Sequence, residues 1–284
     1  MARQMTKERR FTQVDVFASE LGYGNPVAVV HDADGLDDAE LQRFAAWTNL
    51  SETTFLLPPT APGADYRLRI FTPSRELPFA GHPTLGSARA WLEAGGRPAD
   101  PDVVVQECGA GLVRVRRDGE RLAFAAPPLL RGGPVDMLDV AEIAEALCID
   151  PIEIVDAQWG DNGPGWVMVL LPTAEAVLAL QPDVRRMSTF TDIGVAGPHP
   201  DGSETAYEVR AFCAPGPTED PVTGSLNAAL GEWLTRTGRA PDRYVAAQGT
   251  ALGRRGRAHV QRVGDDVWVG GSTVVGITGT VALG

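Results

Sequence analysis

Tyr66-Arg67-Leu68-Arg69-Ile70-Phe71 returns half a chain later as Tyr207-Glu208-Val209-Arg210-Ala211-Phe212, with four of six positions identical or closely similar. Further along, His82-Pro83-Thr84-Leu85-Gly86-Ser87 is echoed by Asp220-Pro221-Val222-Thr223-Gly224-Ser225. Each of these blocks opens an apolar helix that carries a tryptophan, Trp91 in the first and Trp233 in the second. Upstream, Gly24-Asn25-Pro26 before the strand at 27–30 resembles Asn162-Gly163-Pro164 before 166–171. Downstream, Arg114-Val115-Arg116 and His259-Val260-Gln261 begin similar hairpins, turning at Asp118-Gly119 and Gly264-Asp265. Four pairs in the same order are not a chance match. A period of half the chain predicts two pseudo-symmetric domains, not a solenoid of short repeats.

Within each half the chain reads as short β-branched strands with Gly/Asp turns and few helices. Residues 37–49 carry Leu41, Phe44 and Ala45 at helical spacing and predict an amphipathic surface helix. The helices predicted at about 84–94 and 222–236 differ, with Leu85, Ala88, Ala90, Trp91 and Leu92 on most sides of the first. A helix apolar nearly all round is buried. The expected fold class is therefore α+β, each half a curved, mostly antiparallel sheet wrapped around one central helix. The expected domains are 11–126 and 127–276, joined by a linker from Pro127-Pro128 to Pro134, with an active site in the cleft between them. Residues 1–10 are read as disordered, and the tryptophans as core.

With 284 residues, 44% of them hydrophobic, the chain can bury one large core or two modest ones. No run reaches the roughly 18 unbroken apolar residues of a membrane span. The basic start has no apolar run behind it and is not a secretory signal. Cys108, Cys148 and Cys213 are odd in number and far apart, which fits reduced thiols in a cytoplasm better than disulfides or a zinc site. A net charge of −12 argues against nucleic acid as a partner. It also requires local dipoles to hold any anionic substrate against the overall field.

Those dipoles are expected at the two loop–helix junctions. Pro83 and Pro221 are read as first-turn prolines, whose missing N–H costs nothing. Gly86 and Gly224, each followed by serine, are read as letting backbone approach a ligand. Helix-end N–H groups and a positive dipole make an anion site. Asp220 alone would pass as an ordinary N-cap. His82 at the equivalent position is a poor cap, which favours a functional reason for it. Glu52 begins an apolar strand after the amphipathic helix; it reads as a solvated strand end, as part of an Asn49-x-x-Glu52 cap, or as a general base whose pKa is set by burial against dipoles. His31, His199 and His259 lack metal-ligand spacing and read as surface or hairpin histidines, and Gly109-Ala110-Gly111 lacks the rest of a dinucleotide site.

Together Gly24-Asn25-Pro26-Val27-Ala28-Val29, Asn49-Leu50-Ser51-Glu52-Thr53, Gly81-His82-Pro83-Thr84, Glu219-Asp220-Pro221-Val222-Thr223-Gly224-Ser225 and Gln248-Gly249 resemble the phenazine biosynthesis PhzF-like isomerases, from about Phe11 onward. The resemblance implies a diaminopimelate-epimerase-like fold, usually a homodimer, in which a last strand at about 277–284 crosses back to the first domain. It implies proton transfer on a small anionic, unsaturated or amino-acid-like acid without cofactor or metal. Glu52 would be the proton shuttle, with a protonated His82 and Asp220 completing the catalytic set. Gly81, Pro83, Thr84, Gly224 and Ser225 would bind the substrate. Two other readings are a catalytically idle scaffold and an amino-acid epimerase. Epimerases of this fold use two facing cysteines, and neither central-helix loop here contains one. Leu226, where a smaller residue is usual, and Ala214-Pro215-Gly216-Pro217-Thr218 depart from the family pattern beside the expected pocket.

Overall fold

A computed structural model describes residues 6–183, 186, 192–213 and 218–284. The chain divides into two compact units, Met1–Ala125 with Gly270–Gly284, and Ala126–Val269. The first contains β1 (Lys7–Val16), β2 (Asn25–Val30), α1 (Asp38–Thr48), β3 (Glu52–Leu57), β4 (Tyr66–Phe71), β5 (Glu76–Leu77), α2 (Gly81–Glu93), β6 (Val103–Cys108), β7 (Gly111–Asp118) and β8 (Arg121–Ala125). The second contains β9 (Arg131–Pro134), α3 (Met137–Leu147), β10 (Asp156–Asp161), β11 (Trp166–Leu170), α4 (Ala174–Ala179), β12 (Ile193–Pro198), β13 (Tyr207–Cys213), β14 (Thr218–Asp220), α5 (Gly224–Arg236), β15 (Arg243–Gln248) and β16 (Gly256–Val263). The chain leaves along β17 (Asp266–Gly271) and ends in β18 (Thr273–Leu283), which pairs antiparallel with β1.

The sequence repeat is a repeat of connectivity. In the first unit β1–β2 is antiparallel, β2–β3 parallel and β3–β4 antiparallel; β4 then pairs antiparallel with β5 and parallel with β6, and β6–β7 is antiparallel. The second unit repeats these senses in order from β10 to β16. Helices α4 and α5 occupy the places of α1 and α2. In the first unit the sheet curves around α2, which touches β1, β2, β3, β6, β7, β8 and β18. The fold is the expected sheet-dominated α+β arrangement with one central helix per unit.

Local chemistry explains the boundaries. Asp37 caps α1, its side chain accepting from the Glu40 N–H while Glu40 answers the Asp37 N–H. Asn49 closes the same helix in the left-handed conformation, so it is a C-cap and not the start of a cap around Glu52. Residues 7–10, read as disordered, belong to β1 because β18 supplies them with a partner strand from Thr280 to Leu283. The expected linker is also shorter: Arg131–Pro134 pair with β10, and Arg131 lies 3.3 Å over the Trp159 ring.

Each unit has its own core. Val30, Leu41, Phe44, Phe55 and Phe71 form one cluster; Ile143, Leu147, Val167, Val169, Val195 and Phe212 form the other. Trp166, Trp233 and Trp268 are buried, but Trp47 is 77% exposed, which corrects the reading of the tryptophans as core. His31 is likewise no surface residue. It is buried, its Nε2 lies 3.0 Å from Thr12 Oγ1, and burial lowers its pKa to about 4. No helix among the described residues is long and apolar enough to cross a membrane.

Candidate active site

The first unit brings Glu52 and His82 together. Glu52 opens β3 opposite Val27 of β2, and His82 is the second residue of α2. Glu52 Oε2 lies 3.2 Å from His82 Nε2, with the two side chains only 14% and 5% exposed. Nδ1 of the same ring lies 3.3 Å from Asn25 Nδ2 at the buried start of β2, and the next carbonyl, that of Pro26, also bonds the ring. Burial lowers the His82 pKa to about 3, opposed by the Pro26 carbonyl. The imidazole is therefore neutral at pH 7, which corrects the expectation of a protonated His82. Nε2 and Oε2 stand close enough for a proton to pass between them.

Helix α2 is placed by close packing. A Cβ on Gly86 would stand 2.3 Å from Val27 Cγ1 and 3.1 Å from Val16 Cγ2. Gly86 is thus needed for the approach of α2 to β1 and β2, and not for a ligand. Thr54 Oγ1 meets Ser87 Oγ at 2.9 Å and donates to the Ala28 carbonyl at 3.2 Å, tying β3, α2 and β2 at the level of the pair. Ala80 offers no side-chain cap, and Pro83 has no N–H. The Gly81 and His82 N–H groups consequently form an uncapped positive end beside Glu52. Thr84 turns away: its hydroxyl accepts from Gln106 Nε2 at 3.0 Å in the core.

The second unit organises its helix start differently. Asp220 ends β14 opposite Ala211 of β13 and lies ahead of α5. Thr223 is the N-cap residue, so Asp220 is not the cap and Pro221 does not sit in the first turn, contrary to expectation. The Thr223 hydroxyl donates to Asp220 Oδ2 at 2.6 Å instead of capping the helix. Gln248, 1% exposed, clamps the segment. Its Oε1 accepts from Thr223 N at 3.0 Å and Asn227 Nδ2 at 2.9 Å, and its Nε2 donates to Thr223 Oγ1 at 2.9 Å and the Asp220 carbonyl at 3.1 Å. Gly224 and Ser225 open α5. Ser225 Oγ accepts from Trp166 Nε1 at 3.0 Å and its carbonyl from Asn162 Nδ2 at 2.9 Å, so the hydroxyl keeps its own proton to donate. Leu226 is fully buried against Gly194 of β12, where it packs the core and does not line a pocket. Residues 214–217 lie outside the described residues.

Sequence reasoning gave no role to Asn25, Asn162, Trp166 or Gln248, although all four hold the helix starts. The available signal was the recurrence of asparagine just before proline in both halves. In each unit that amide reaches the first turn of the central helix. Burial raises the Cys108 pKa, so its thiol is a poor base. Among the described residues no His/Cys/Asp/Glu group could hold a metal ion.

The buried histidines carry a pH dependence. Both rings bind a proton less readily folded, at about 4 and about 3, than at the ordinary 6.5. The unfolded chain therefore holds more protons between those values, and stability falls as pH drops from about 6.5 toward 3. Urea midpoints at about pH 7 and pH 4.5 should decrease accordingly, and His31→Gln should reduce the difference. Equal midpoints for the wild type would contradict the buried neutral rings.

The family described as phenazine biosynthesis-like protein matches residues 14–280. The chain is 39% identical to antisense-enhancing sequence 1 of Schizosaccharomyces pombe, covering 87% of this chain and 88% of that one. It is 37% identical to trans-2,3-dihydro-3-hydroxyanthranilate isomerase of Pseudomonas aeruginosa, covering 90% and 91%. A Bacillus anthracis phenazine biosynthesis protein of the PhzF family shares the fold, with TM-score 0.82, 22% identity and coverage of 97% and 99%.

Proposed function

The chain belongs to the phenazine biosynthesis-like family and is an isomerase, and from that premise we propose that it moves a proton within a small unsaturated or amino-acid-like carboxylic acid by general acid–base catalysis, without a cofactor. The observation that carries this reading is the buried Glu52–His82 pair at 3.2 Å beside an uncapped helix end.

Glu52 takes a proton from one carbon of the substrate and returns it to another on the same face. The charge that develops is delocalised over the conjugated acid. The Gly81 and His82 N–H groups and the neutral His82 ring stabilise it where it forms. Asp220, Gly224 and Ser225 are assigned to substrate binding, with the Ser225 hydroxyl as donor and the Asp220 carboxylate held in aim by Thr223. A thiol-based epimerase has less support, since the central-helix starts contain no cysteine and Cys108 is held protonated. An idle scaffold has no use for a buried carboxylate set against a histidine, because burial of such groups costs stability.

The test is proton NMR in D₂O of a panel of small unsaturated and amino acids, led by trans-2,3-dihydro-3-hydroxyanthranilate. Deuterium should enter a carbon position of one compound only when enzyme is present. Binding without exchange at any carbon would support the scaffold reading instead.

A further inference from the structure

Among the described residues, Met137 and Ile152 are each 88% exposed and Leu138 is 81% exposed, more than any other large apolar side chain. Single exposed apolar residues are ordinary on a protein surface, but adjoining ones mark a contact. These adjoin. Met137 and Leu138 open α3, and the 3₁₀ turn Pro151–Glu153 packs on the same helix. Val155, 52% exposed, joins them. The register Gln158↔Pro134 between β10 and β9 continues through a bond of 3.2 Å from the Val135 N–H to the Ala157 carbonyl, which returns residue 155 to the start of α3. The fold does not need these four residues to be apolar. Helix α3 already turns Ile143, Ala144, Ala146 and Leu147 into the core of the second unit. The 3₁₀ turn is held by polar groups, with Asp150 Oδ1 accepting from the Ile152 N–H at 3.0 Å and Glu153 Oε1 from the Asp150 N–H at 2.9 Å.

Charge is the second observation. From Gly132 to Asp183 the sequence has ten acidic residues and no Lys, Arg or His. Soluble surfaces ordinarily intersperse both signs. Each exposed apolar residue is bracketed by acids: Asp136 and Asp139 enclose Met137-Leu138, Asp150 and Glu153 enclose Ile152, and Asp156 follows Val155. Glu145 and Asp156 pair with Arg186 and Arg239, arginines from outside this stretch. Asp136 and Glu142 stand exposed at the start and on the outer face of α3. The patch therefore offers apolar contact inside a negative rim. A helix side has no spare backbone groups, so its occupant is held by side chains and not by strand addition. The capped turn and the helix are already ordered, which limits the entropy lost when something binds.

We infer that this face of the second unit docks a basic amphipathic helix of another protein, whose aliphatic side chains cover Met137, Leu138, Ile152 and Val155 while its Lys or Arg residues meet the flanking acids. The apolar contact supplies the affinity. The charges speed the approach and turn away acidic partners. The inference is independent of the catalytic reading, because neither the Glu52–His82 pair nor any residue assigned to substrate binding takes part.

Fluorescence anisotropy on the full chain tests it. The probe is a labelled Leu/Lys peptide of about 18 residues, five helical turns, with its leucines on one face. One control has the same composition with leucines spread around the helix, and another has Glu in place of Lys. The wild type should bind the probe about tenfold or more tighter than either control. Met137→Ser/Leu138→Ser/Ile152→Ser should weaken binding about tenfold with unchanged circular dichroism and urea midpoint, since all three side chains are exposed. Asp136→Lys/Glu142→Lys should weaken it too and flatten its dependence on salt. Equal binding of the spread-leucine control would reduce the attraction to charge alone and overturn the inference. A serine variant that binds as the wild type does would overturn it as well. In sedimentation the wild type and the serine variant should show the same state of association. A wild-type assembly lost in that variant would give the face to a second copy, against the inference.

Discussion

Glu52→Gln should lower turnover by about 10²–10⁴-fold while the protein folds as before. Glutamine has nearly the volume of glutamate and can still hydrogen-bond His82 Nε2 at the 3.2 Å separation. It cannot accept and return a proton. Replacing the buried carboxylate with a neutral amide removes a desolvation cost, so the urea midpoint should stay level or rise. The measurement is exchange of substrate hydrogen in D₂O, with wild type, Glu52→Gln and Glu52→Asp compared at equal concentration. Aspartate keeps the acid but withdraws it by one methylene, so it should give an intermediate rate, as small misplacements of a catalytic group cost heavily. Wild-type turnover by the glutamine variant would remove Glu52 from the reaction and leave His82 as the group to test.

Arg210→Ala should cost about 3–5 kcal/mol of stability. Arg210 is 7% exposed, and it forks onto Glu219 through Nε at 2.9 Å and Nη2 at 2.8 Å. Its Nη1 also donates to the carbonyls of Val177 and Leu180, at 3.3 and 2.8 Å, where α4 ends. Truncation strands a mostly buried carboxylate and two carbonyls together. The loss should appear as a lower urea midpoint in the transition of the second unit. Replacing both partners with apolar residues (Arg210→Met with Glu219→Leu) should recover much of it, because no charge is then left unpaired. A midpoint within about 1 kcal/mol of wild type for Arg210→Ala would show the pair to be marginal. Because Glu219 precedes Asp220, the single variant should also weaken substrate binding more than the double one.

The repeat was legible because it is a repeat of strand order and turn chemistry, both local in sequence. Tyr66 and Tyr207 lie in β4 and β13, at equivalent places in two units with the same senses of strand pairing. Helix starts were less legible. The sequence aligns His82 with Asp220, yet one lies inside a helix and the other ends a strand. The difference follows from Gln248, a residue far away in the chain, which takes up the Thr223 N–H and the Asp220 carbonyl. Gly86 was misread for a similar reason. Its sequence neighbours imply a ligand loop, but its spatial neighbours are Val16 and Val27.

By itself the sequence determined two similar halves, the central helices and the family, and it named the candidates for moving a proton. Periodicity, turn residues and motif order carry that information over short stretches of chain. Only the tertiary structure decided that Glu52 and His82 come within 3.2 Å of each other, that the ring is neutral, and that Thr84 and Leu226 face the core. Those outcomes depend on burial and on distances between residues remote in sequence, which set solvation and hydrogen-bond partners. No local pattern encodes either.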